Sequence, residues 1–304
     1  MRFGLTILPE ERWADTAARW RAAEELGWDD AWTYDHLVWE GLPESAWFGA
    51  VPTLTAAATV TSRIGLGTFV ASPNFRHPVP FVRDLLAVDD ISAGRLLLGV
   101  GTGGNLDAAK LGEVRTLKER VDRFHEWAGL LRRLLVEDHV DHAGAYFQAV
   151  DARTLPGSYP LLGRPDGVPL LVAANGPRSF RLATAIGDGW ITYGGAGATL
   201  EEWWDHLATL SSQVSEGLGV AGRTDLPFRR ILSVDSGPVY GLTSAGVFEE
   251  LVARADALGF TDVVTHWPRT EGPYAGRLAV LEQVSADALP RWRDGRTEAA
   301  AGAG

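Results

Sequence analysis

The sequence contains no cysteine, and this absence excludes several kinds of chemistry. A chain without cysteine has no disulfide framework, no thiolate metal ligand and no cysteine nucleophile. We predict no metal ligands of any other kind. The remaining chemistry has to come from histidine, carboxylates, hydroxyl groups or a bound cofactor.

Long apolar segments are also absent. No stretch approaches the ~20 uncharged residues that a membrane helix needs. The opening residues MRFGLTILPEERW are typical of a strand and a turn, without the basic, apolar and small-residue sections of a signal peptide. We therefore expect a cytoplasmic protein with no membrane partner.

Positive charge is scarce. The 28 basic residues include only Lys110 and Lys118 as lysines, and the formal net charge is −11. Such a chain repels polyanions, so nucleic acid is not an expected partner. Tryptophan, in contrast, is abundant, with 12 residues. Most of them are expected in the core and the rest in the walls of an aromatic pocket.

Segments with strand and helix patterns alternate along the whole chain. The strand-like segments are 2–8, 29–34, 64–70, 95–99, 168–174, 189–193, 229–235 and 262–266, and each precedes a helical pattern. This alternation predicts an α/β fold, a (β/α)₈ TIM barrel over residues 1–290. A doubly wound sheet is the alternative, but the first turn lacks the glycines typical of a dinucleotide site. The stretch after strand 4 predicts an insertion that holds a long helix over 113–136 and an extended segment or hairpin over 139–150. Residues 291–304 carry no apolar pattern and are predicted to be a disordered tail.

Active sites of such barrels lie at the carboxyl ends of the strands, where this sequence has unusual residues. Asp35 and His36 end the second strand, and such a pair either handles protons or caps a turn and packs under a loop. The third strand runs into a stiff loop over 67–78 with two prolines, which is either a connector or the wall of a flat-ligand site.

Two further strand ends are rich in small residues. The fourth ends in GVGTGGN, residues 99–105, which has no P-loop lysine and lets a ligand approach the backbone. The fifth ends in Asn175-Gly176-Pro177-Arg178-Ser179, whose small residues and arginine at a helix start suit an anion. Proline at a first helical turn is also normal without any ligand, so both interpretations stay open.

Five segments taken together resemble the bacterial-luciferase-like family of flavin- and deazaflavin-dependent oxidoreductases. They occur in the family's order and cover nearly the whole predicted barrel. The segments are GWDDAWTYDH (27–36), RIGLGTFVASPNFRHP (63–78), ISAGRLLLGVGTGG (91–104), ERVDRFHEWAGLLRRLL (119–135) and VAANGPRSFRLATAIGDGWIT (172–192).

The resemblance implies a (β/α)₈ barrel with a flat tricyclic cofactor across its mouth. That cofactor is either FMN or the 8-hydroxy-5-deazaflavin called coenzyme F420, and the Asp-His pair looks like the F420-dependent branch. In that branch His36 would face the reactive ring edge, and a non-proline cis peptide would fall at Phe69-Val70. The residues that the resemblance assigns to cofactor binding are Asp35, Phe69, Val70, Ala71, Ser72, Thr102, Gly103, Asn175, Gly176, Arg178 and Ser179. The family also suggests a homodimer.

Two departures from the family separate this sequence from its sugar-phosphate dehydrogenases. Those enzymes place an acid–base glutamate directly after the GTG motif, where this chain has Gly104. They also carry a lysine after the sixth strand, where residues 193–196 offer no cation. We therefore reject a sugar-phosphate substrate and expect a different small-molecule or modified-peptide substrate.

The implied function is an oxidoreductase that transfers a hydride between reduced F420 and a polarised C=C, C=N or C=O bond. His36 is the predicted catalytic proton donor or acceptor, although it could also serve only as a hydrogen-bonding group. The predicted substrate pocket consists of Trp39, Trp47, His77, Tyr193, His266 and Trp267. Two alternatives remain: an FMN-dependent monooxygenase that uses O₂, and a barrel that binds a ligand without catalysis.

Overall fold

Eight parallel strands close into a barrel in the computed structural model, which describes residues 1–154, 167–195, 197 and 199–293. The strands of the barrel are β1 (Arg2–Thr6), β2 (Asp30–Thr33), β3 (Gly65–Ala71), β4 (Leu96–Val100), β7 (Leu170–Ala173), β8 (Gly189–Thr192), β9 (Arg229–Ser233) and β10 (Asp262–His266). Their order around the barrel is β1-β10-β9-β8-β7-β4-β3-β2. The predicted (β/α)₈ barrel is confirmed.

Helices surround the strands and cover their outer face. They are α1 (Trp13–Glu25), α2 (Ala50–Val60), α3 (Pro78–Ile91), α4 (Asn105–Lys110), α5 (Leu117–Val136), α6 (Pro177–Ile186), α7 (Leu200–Val220), α8 (Ala245–Ala257) and α9 (Leu278–Gln283). A π-helical stretch over Val284–Ala288 continues α9. None of the described helices is both long and apolar enough to span a bilayer.

The barrel encloses an apolar core of its own, separate from the layer between strands and helices. Its buried members come from seven of the eight strands, one from each: Trp32, Phe69, Leu97, Leu171, Ile191, Ile231 and Val264. Because a parallel barrel buries both faces of its strands, runs such as Leu96–Val100 are apolar without alternation. This packing fills the interior of the barrel with side chains.

A charged cluster joins the amino ends of four strands, β1, β2, β9 and β10, at the opposite end of the barrel. The Arg229 guanidinium donates to Asp30 at 2.5 Å and also to Asp262, and Arg2 donates to Asp30 at 2.8 Å. Both carboxylates are almost fully buried. Buried charges of this kind need partners, so this cluster is structural and lies far from the strand ends that carry the site.

The predicted insertion follows β4. It contains α4, α5 and a two-stranded antiparallel sheet of β5 (Val140–Ala143) and β6 (Gln148–Ala152). The helix predicted over 113–136 begins only at Leu117, because a reciprocal capping box between Thr116 and Glu119 sets its start. The short helix α4 was not predicted. Residues 291–293 of the predicted tail are helical, so this part of the prediction is wrong; the rest of the tail lies outside the described residues, as does the segment 155–166.

Candidate active site

A cavity of about 420 Å³ lies at the carboxyl ends of the barrel strands. Its wall is formed by residues at or after the ends of β2, β3, β4, β7, β8, β9 and β10. The described lining residues include aromatic rings, hydroxyl groups and a histidine but no lysine or arginine. A cavity of this size, at this end of a barrel, with a few convergent polar groups, is the expected form of a small-molecule site.

His36 is fixed at the cavity wall by a carboxylate from another element. Its Nδ1 lies 2.7 Å from Oδ2 of Asp107, which sits in the first turn of α4 and is 1% exposed. The other oxygen of Asp107 accepts from the backbone N–H groups of Leu37 at 2.8 Å and Val38 at 3.2 Å. Since a carboxylate only accepts, the proton of a neutral His36 is assigned to Nδ1. That leaves Nε2 as the ring nitrogen for a ligand.

A second histidine lies behind the wall and reaches the cavity through a tyrosine. His266, at the end of β10, is 1% exposed, and its Nδ1 lies 2.7 Å from Oδ2 of Asp235. Its Nε2 lies 2.8 Å from the hydroxyl of Tyr34, which itself lines the cavity. The ring of Tyr274 stacks on His266 at 3.6 Å, with its hydroxyl 3.4 Å from that of Tyr34. Asp235, His266 and Tyr34 thus form a continuous hydrogen-bonded chain.

The tyrosines of this group stay protonated. Burial raises the pKa of Tyr34 well above its ordinary value, and the neighbouring Tyr274 and Asp235 raise it further. Burial likewise raises the pKa of Tyr274, against the opposing effect of its hydrogen bond with Tyr34. Desolvation disfavours the phenolate form, so both groups present hydroxyls at neutral pH.

Aromatic rings form one side of the cavity. Trp39 stacks on Tyr274 with ring centroids 6.0 Å apart and an interplanar angle of 11°. Trp47 packs behind this pair, 6.0 Å from Trp39 and 6.4 Å from His36. Tyr193 also lines the cavity and is half exposed. These rings offer broad apolar contacts to a substrate.

The end of β3 forms another part of the wall. The Phe69-Val70 peptide bond is cis, as the family resemblance implied, and both residues line the cavity. Ser72 lines it as well, and its buried hydroxyl has no hydrogen-bond partner among the described residues. A Cβ added at Gly103 would lie 2.7 Å from the Ser72 side chain, so this turn packs closely. A buried hydroxyl without a partner on a cavity wall fits a polar atom of a ligand.

The turn over residues 175–179 lies beside the cavity. Thr192, which lines the cavity, donates to Oδ1 of Asn175 at 2.5 Å. Gly176 precedes α6 with open space where a side chain would be. Arg178 lies 2.5 Å from Asp122 of α5 and is partly exposed. The helix start and its arginine are therefore accessible beside the cavity, and their role with a phosphate stays a prediction.

Several predicted residues have other positions. Asp35 is buried and accepts two hydrogen bonds from Arg76, at 2.7 and 3.2 Å, so its carboxylate is occupied. His77 caps α3, and its ring packs against Phe147 of the hairpin. The predicted residues that are not part of the described cavity wall are Asp35, Ala71, Thr102, Asn175, Gly176, Arg178, Ser179, Trp47, His77, His266 and Trp267. Their assigned roles remain predictions.

Four groups that shape this site were not predicted from the sequence: Asp107, Tyr34, Asp235 and Tyr274. Tyr34 precedes the Asp-His pair directly, so the strand-end rule alone would have included it. Asp235 lies within the predicted seventh strand segment and could have been found in the same way. Asp107 and Tyr274 had no comparable signal, because α4 and the loop after β10 carry no motif that indicates their position.

The fold and the cavity define a (β/α)₈ barrel enzyme with two histidine–carboxylate pairs at the carboxyl ends of its strands. Residues 1–238 match the model of the family described as luciferase-like monooxygenase, and the chain belongs to that family.

One relative is the F420-dependent glucose-6-phosphate dehydrogenase of Beutenbergia cavernae, which is 32% identical over 89% of this chain and 91% of its own length. The fold is similar to that of the coenzyme F420-dependent tetrahydromethanopterin reductase from Methanopyrus kandleri. That match has a TM-score of 0.76 at 18% identity, over 95% of this chain and 99% of the other. An F420-dependent secondary alcohol dehydrogenase in complex with an F420-acetone adduct also matches at 0.76, with 17% identity over 93% of this chain and 97% of the other.

Proposed function

We propose that this protein is an oxidoreductase that transfers a hydride between coenzyme F420 and an organic substrate with a polarised C=C, C=N or C=O bond. The observation that carries the proposal is the His36–Asp107 pair at the wall of a cavity that also holds the cis Phe69-Val70 segment. The F420 dependence of the related dehydrogenase supports the choice of cofactor.

The residues present fit a flat ring with a phosphate-bearing tail. The Phe69-Val70 segment and Gly103 would contact the ring, and the unpartnered Ser72 hydroxyl would bind a polar atom on it. Gly176 and the start of α6 would receive the phosphate, because helix N-termini present free N–H groups to anions. Arg178 would add a charge-assisted contact, in competition with its present partner Asp122.

The bound deazaflavin supplies the hydride chemistry, and the chain's own residues orient the reactants and handle protons. His36 holds one proton at Nδ1 against Asp107 and exchanges a second at Nε2 with the molecule in the cavity. Asp107 stabilises the imidazolium that results. The aromatic side of the cavity excludes water from the reacting bond.

The substrate differs from that of the related dehydrogenase. A phosphorylated substrate needs a cation, and the described lining residues of the cavity include no lysine or arginine. Position 104, where the family's sugar-phosphate dehydrogenases have glutamate, is Gly104 with open space around it. An uncharged small molecule or a modified-peptide side chain suits this cavity better.

The remaining organisation is proposed from the family resemblance. Residues 1–290 would form a single luciferase-like barrel domain, and the protein would act as a homodimer in the cytoplasm. Light scattering of the purified full chain tests the dimer, since a monomeric mass at micromolar concentration contradicts it.

The cofactor is tested by titration of the full chain with F420 and, separately, with FMN, each followed by fluorescence. We expect saturable binding of F420 and weaker binding of FMN. Arg178→Ala should weaken F420 binding by roughly 10- to 150-fold, since one charge-assisted contact contributes roughly 1.5–3 kcal/mol. Arg181→Ala, an exposed arginine on the same helix, is the matched control and should leave the dissociation constant unchanged.

Saturation by FMN without any response to F420 would favour an O₂-using flavin monooxygenase. Binding of neither cofactor would favour a barrel without redox chemistry. Either outcome contradicts the proposal.

A further inference from the structure

We propose that Tyr34 is a second catalytic proton-transfer group, which exchanges its proton with the oxygen of an uncharged alcohol or of the corresponding carbonyl compound. His266 accepts the proton that Tyr34 releases, and Asp235 acts as a positioning residue that orients the His266 ring. The inference rests on the proposed F420-dependent function, because the hydride that accompanies this proton needs an acceptor or donor.

The direction of each hydrogen bond in the chain follows from Asp235. In addition to its contact with the His266 ring, the Asp235 carboxylate accepts three hydrogen bonds. The donors are the backbone N–H groups of Gly241 at 2.8 Å and His266 at 2.6 Å, and the Thr265 hydroxyl at 2.9 Å. So many donors fit an ionised carboxylate, which can only accept. The Nδ1 of His266 therefore carries its proton toward Asp235. Its Nε2 is then an acceptor, and the Tyr34 hydroxyl donates to it at 2.8 Å.

This arrangement leaves the lone pairs of the Tyr34 oxygen available to the cavity. Among the described residues, its other hydrogen-bonding neighbour is the Tyr274 hydroxyl, which is 3.4 Å away, at the long limit of a hydrogen bond. Since Tyr34 lines the cavity, a bound hydroxyl group can donate to this oxygen. The phenol does not need to ionise, because it passes one proton to His266 as it receives another.

The two histidine–carboxylate pairs differ in burial: His266–Asp235 is buried, whereas His36 of the His36–Asp107 pair is partly exposed. His266 is 1% exposed and is covered by the stacked ring of Tyr274, so Tyr34 is its connection to the cavity. The His36 side chain is 25% exposed, and its ring centre lies 5.9 Å from that of Tyr34. A proton on His36 can exchange with water, whereas a proton on His266 stays within the chain of hydrogen bonds. We therefore assign the substrate's proton to Tyr34 and exchange between the cavity and water to His36.

The step balances as the oxidation of an alcohol. The C–H bond breaks with its electron pair, and this hydride leaves to the oxidised deazaflavin. The O–H bond breaks as its proton passes to the Tyr34 oxygen, and the former Tyr34 proton passes to Nε2 of His266. The products are a carbonyl compound and an imidazolium held by Asp235. The reverse sequence reduces the carbonyl compound with the reduced cofactor.

The cavity wall specifies the class of alcohol. The described lining has no cation for a phosphate or carboxylate, and the rings of Tyr34, Trp39 and Tyr274 lie on one side. An alcohol with an aromatic or cyclic apolar group suits these contacts. We use 1-phenylethanol and a set of benzylic and alicyclic alcohols as probes.

The first measurement needs no cofactor. The ring nitrogens of the histidines are observed by ¹⁵N NMR in the wild type, in Tyr34→Phe and in the control Tyr240→Phe. Tyr240 donates to the backbone oxygen of His266 at 2.8 Å and is outside the described cavity wall, so it is a matched tyrosine. We expect His266 to be protonated at Nδ1, and 1-phenylethanol to shift its Nε2 signal in the wild type and in Tyr240→Phe only. Protonation at Nε2, or the same shift in Tyr34→Phe, overturns the proposal.

The second measurement follows turnover of the alcohol probes with oxidised F420. In Tyr34→Phe, kcat should fall by about 10²-fold or more, the contribution typical of a general acid or base, while KM changes only a few-fold. Tyr240→Phe should keep its kcat within a few-fold of the wild type. A wild-type-like kcat in Tyr34→Phe, or a wild type that binds F420 but oxidises none of the probes, overturns the proposal. Absence of F420 binding instead refutes the proposed function, and the NMR measurement then still decides the direction of the hydrogen bonds.

Discussion

Replacement of Asp107 by asparagine should reverse the tautomer of His36 while leaving the fold in place. The asparagine carbonyl oxygen can still accept from the backbone N–H groups of Leu37 and Val38, which now bond to Oδ1 of the aspartate. The atom that replaces Oδ2 is an NH₂ group, which donates toward Nδ1 of His36. His36 must then carry its proton on Nε2, so it loses its acceptor toward the cavity.

Asp107→Asn should lower both the free energy of unfolding and the turnover, by different amounts. The stability cost is that of one charge-assisted hydrogen bond, the 2.7 Å contact between His36 and Asp107. Such a bond contributes about 1.5–3 kcal/mol to the free energy of unfolding. Turnover should fall further, by ~10²–10⁴-fold, because His36 no longer presents a basic nitrogen to the cavity for proton exchange. The affinity for F420 should change little, since asparagine has the size of aspartate and keeps the contacts with the backbone of Leu37 and Val38.

The assay combines ¹⁵N NMR of the histidine rings, F420 titration and turnover of the alcohol probes. Asp84→Asn, which removes an exposed carboxylate on α3, is the matched control and should behave like the wild type. A His36 ring that keeps its proton on Nδ1 in Asp107→Asn would refute the reasoning. So would turnover within a few-fold of the wild type.

Three further predictions concern the charged cluster at the amino ends of the strands, the carboxylate of Glu24 and the proposed phosphate site. Arg229→Leu should lower the free energy of unfolding, measured by urea denaturation, by about 3–5 kcal/mol. The reason is that it removes a partner from the buried carboxylates of Asp30 and Asp262. A loss below about 1 kcal/mol would contradict this role. Glu24 is buried in part, which raises its pKa, but hydrogen bonds from three consecutive backbone N–H groups outweigh this and lower the pKa to about 2. The stability that it contributes is therefore present above its unfolded pKa of about 4.3 and is lost as the pH falls toward 2. Thermal melts of Glu24→Gln should show less acid dependence in this range, and an unchanged dependence would argue against it. Gly176→Val places a side chain in open space beside the proposed phosphate site. The affinity for F420 should therefore fall at least tenfold, with little change in melting temperature. An unchanged affinity would show that the phosphate does not bind at this turn.

Sequence patterns determined the fold of this protein and the end of the barrel where its site lies. The alternation of strands and helices over the chain is sufficient for a closed parallel barrel, because each strand–helix unit packs on its neighbours by local rules. The same patterns placed His36, the Phe69-Val70 segment, Ser72, Gly103 and Tyr193 at the carboxyl ends of strands, where all of them now line the cavity.

Tertiary structure decided which groups act together. Asp35 is adjacent to His36 in the sequence, yet its carboxylate binds Arg76, whereas His36 binds Asp107 from 71 residues further along. Successive side chains of an extended segment point to opposite sides, so neighbours in the sequence seldom share a partner there. The barrel closes β10 onto β1 and β1 onto β2, and it thereby brings His266 within 2.8 Å of Tyr34 across 232 positions. Contacts of that separation depend on closure of the whole barrel, and no local pattern in the sequence specifies them.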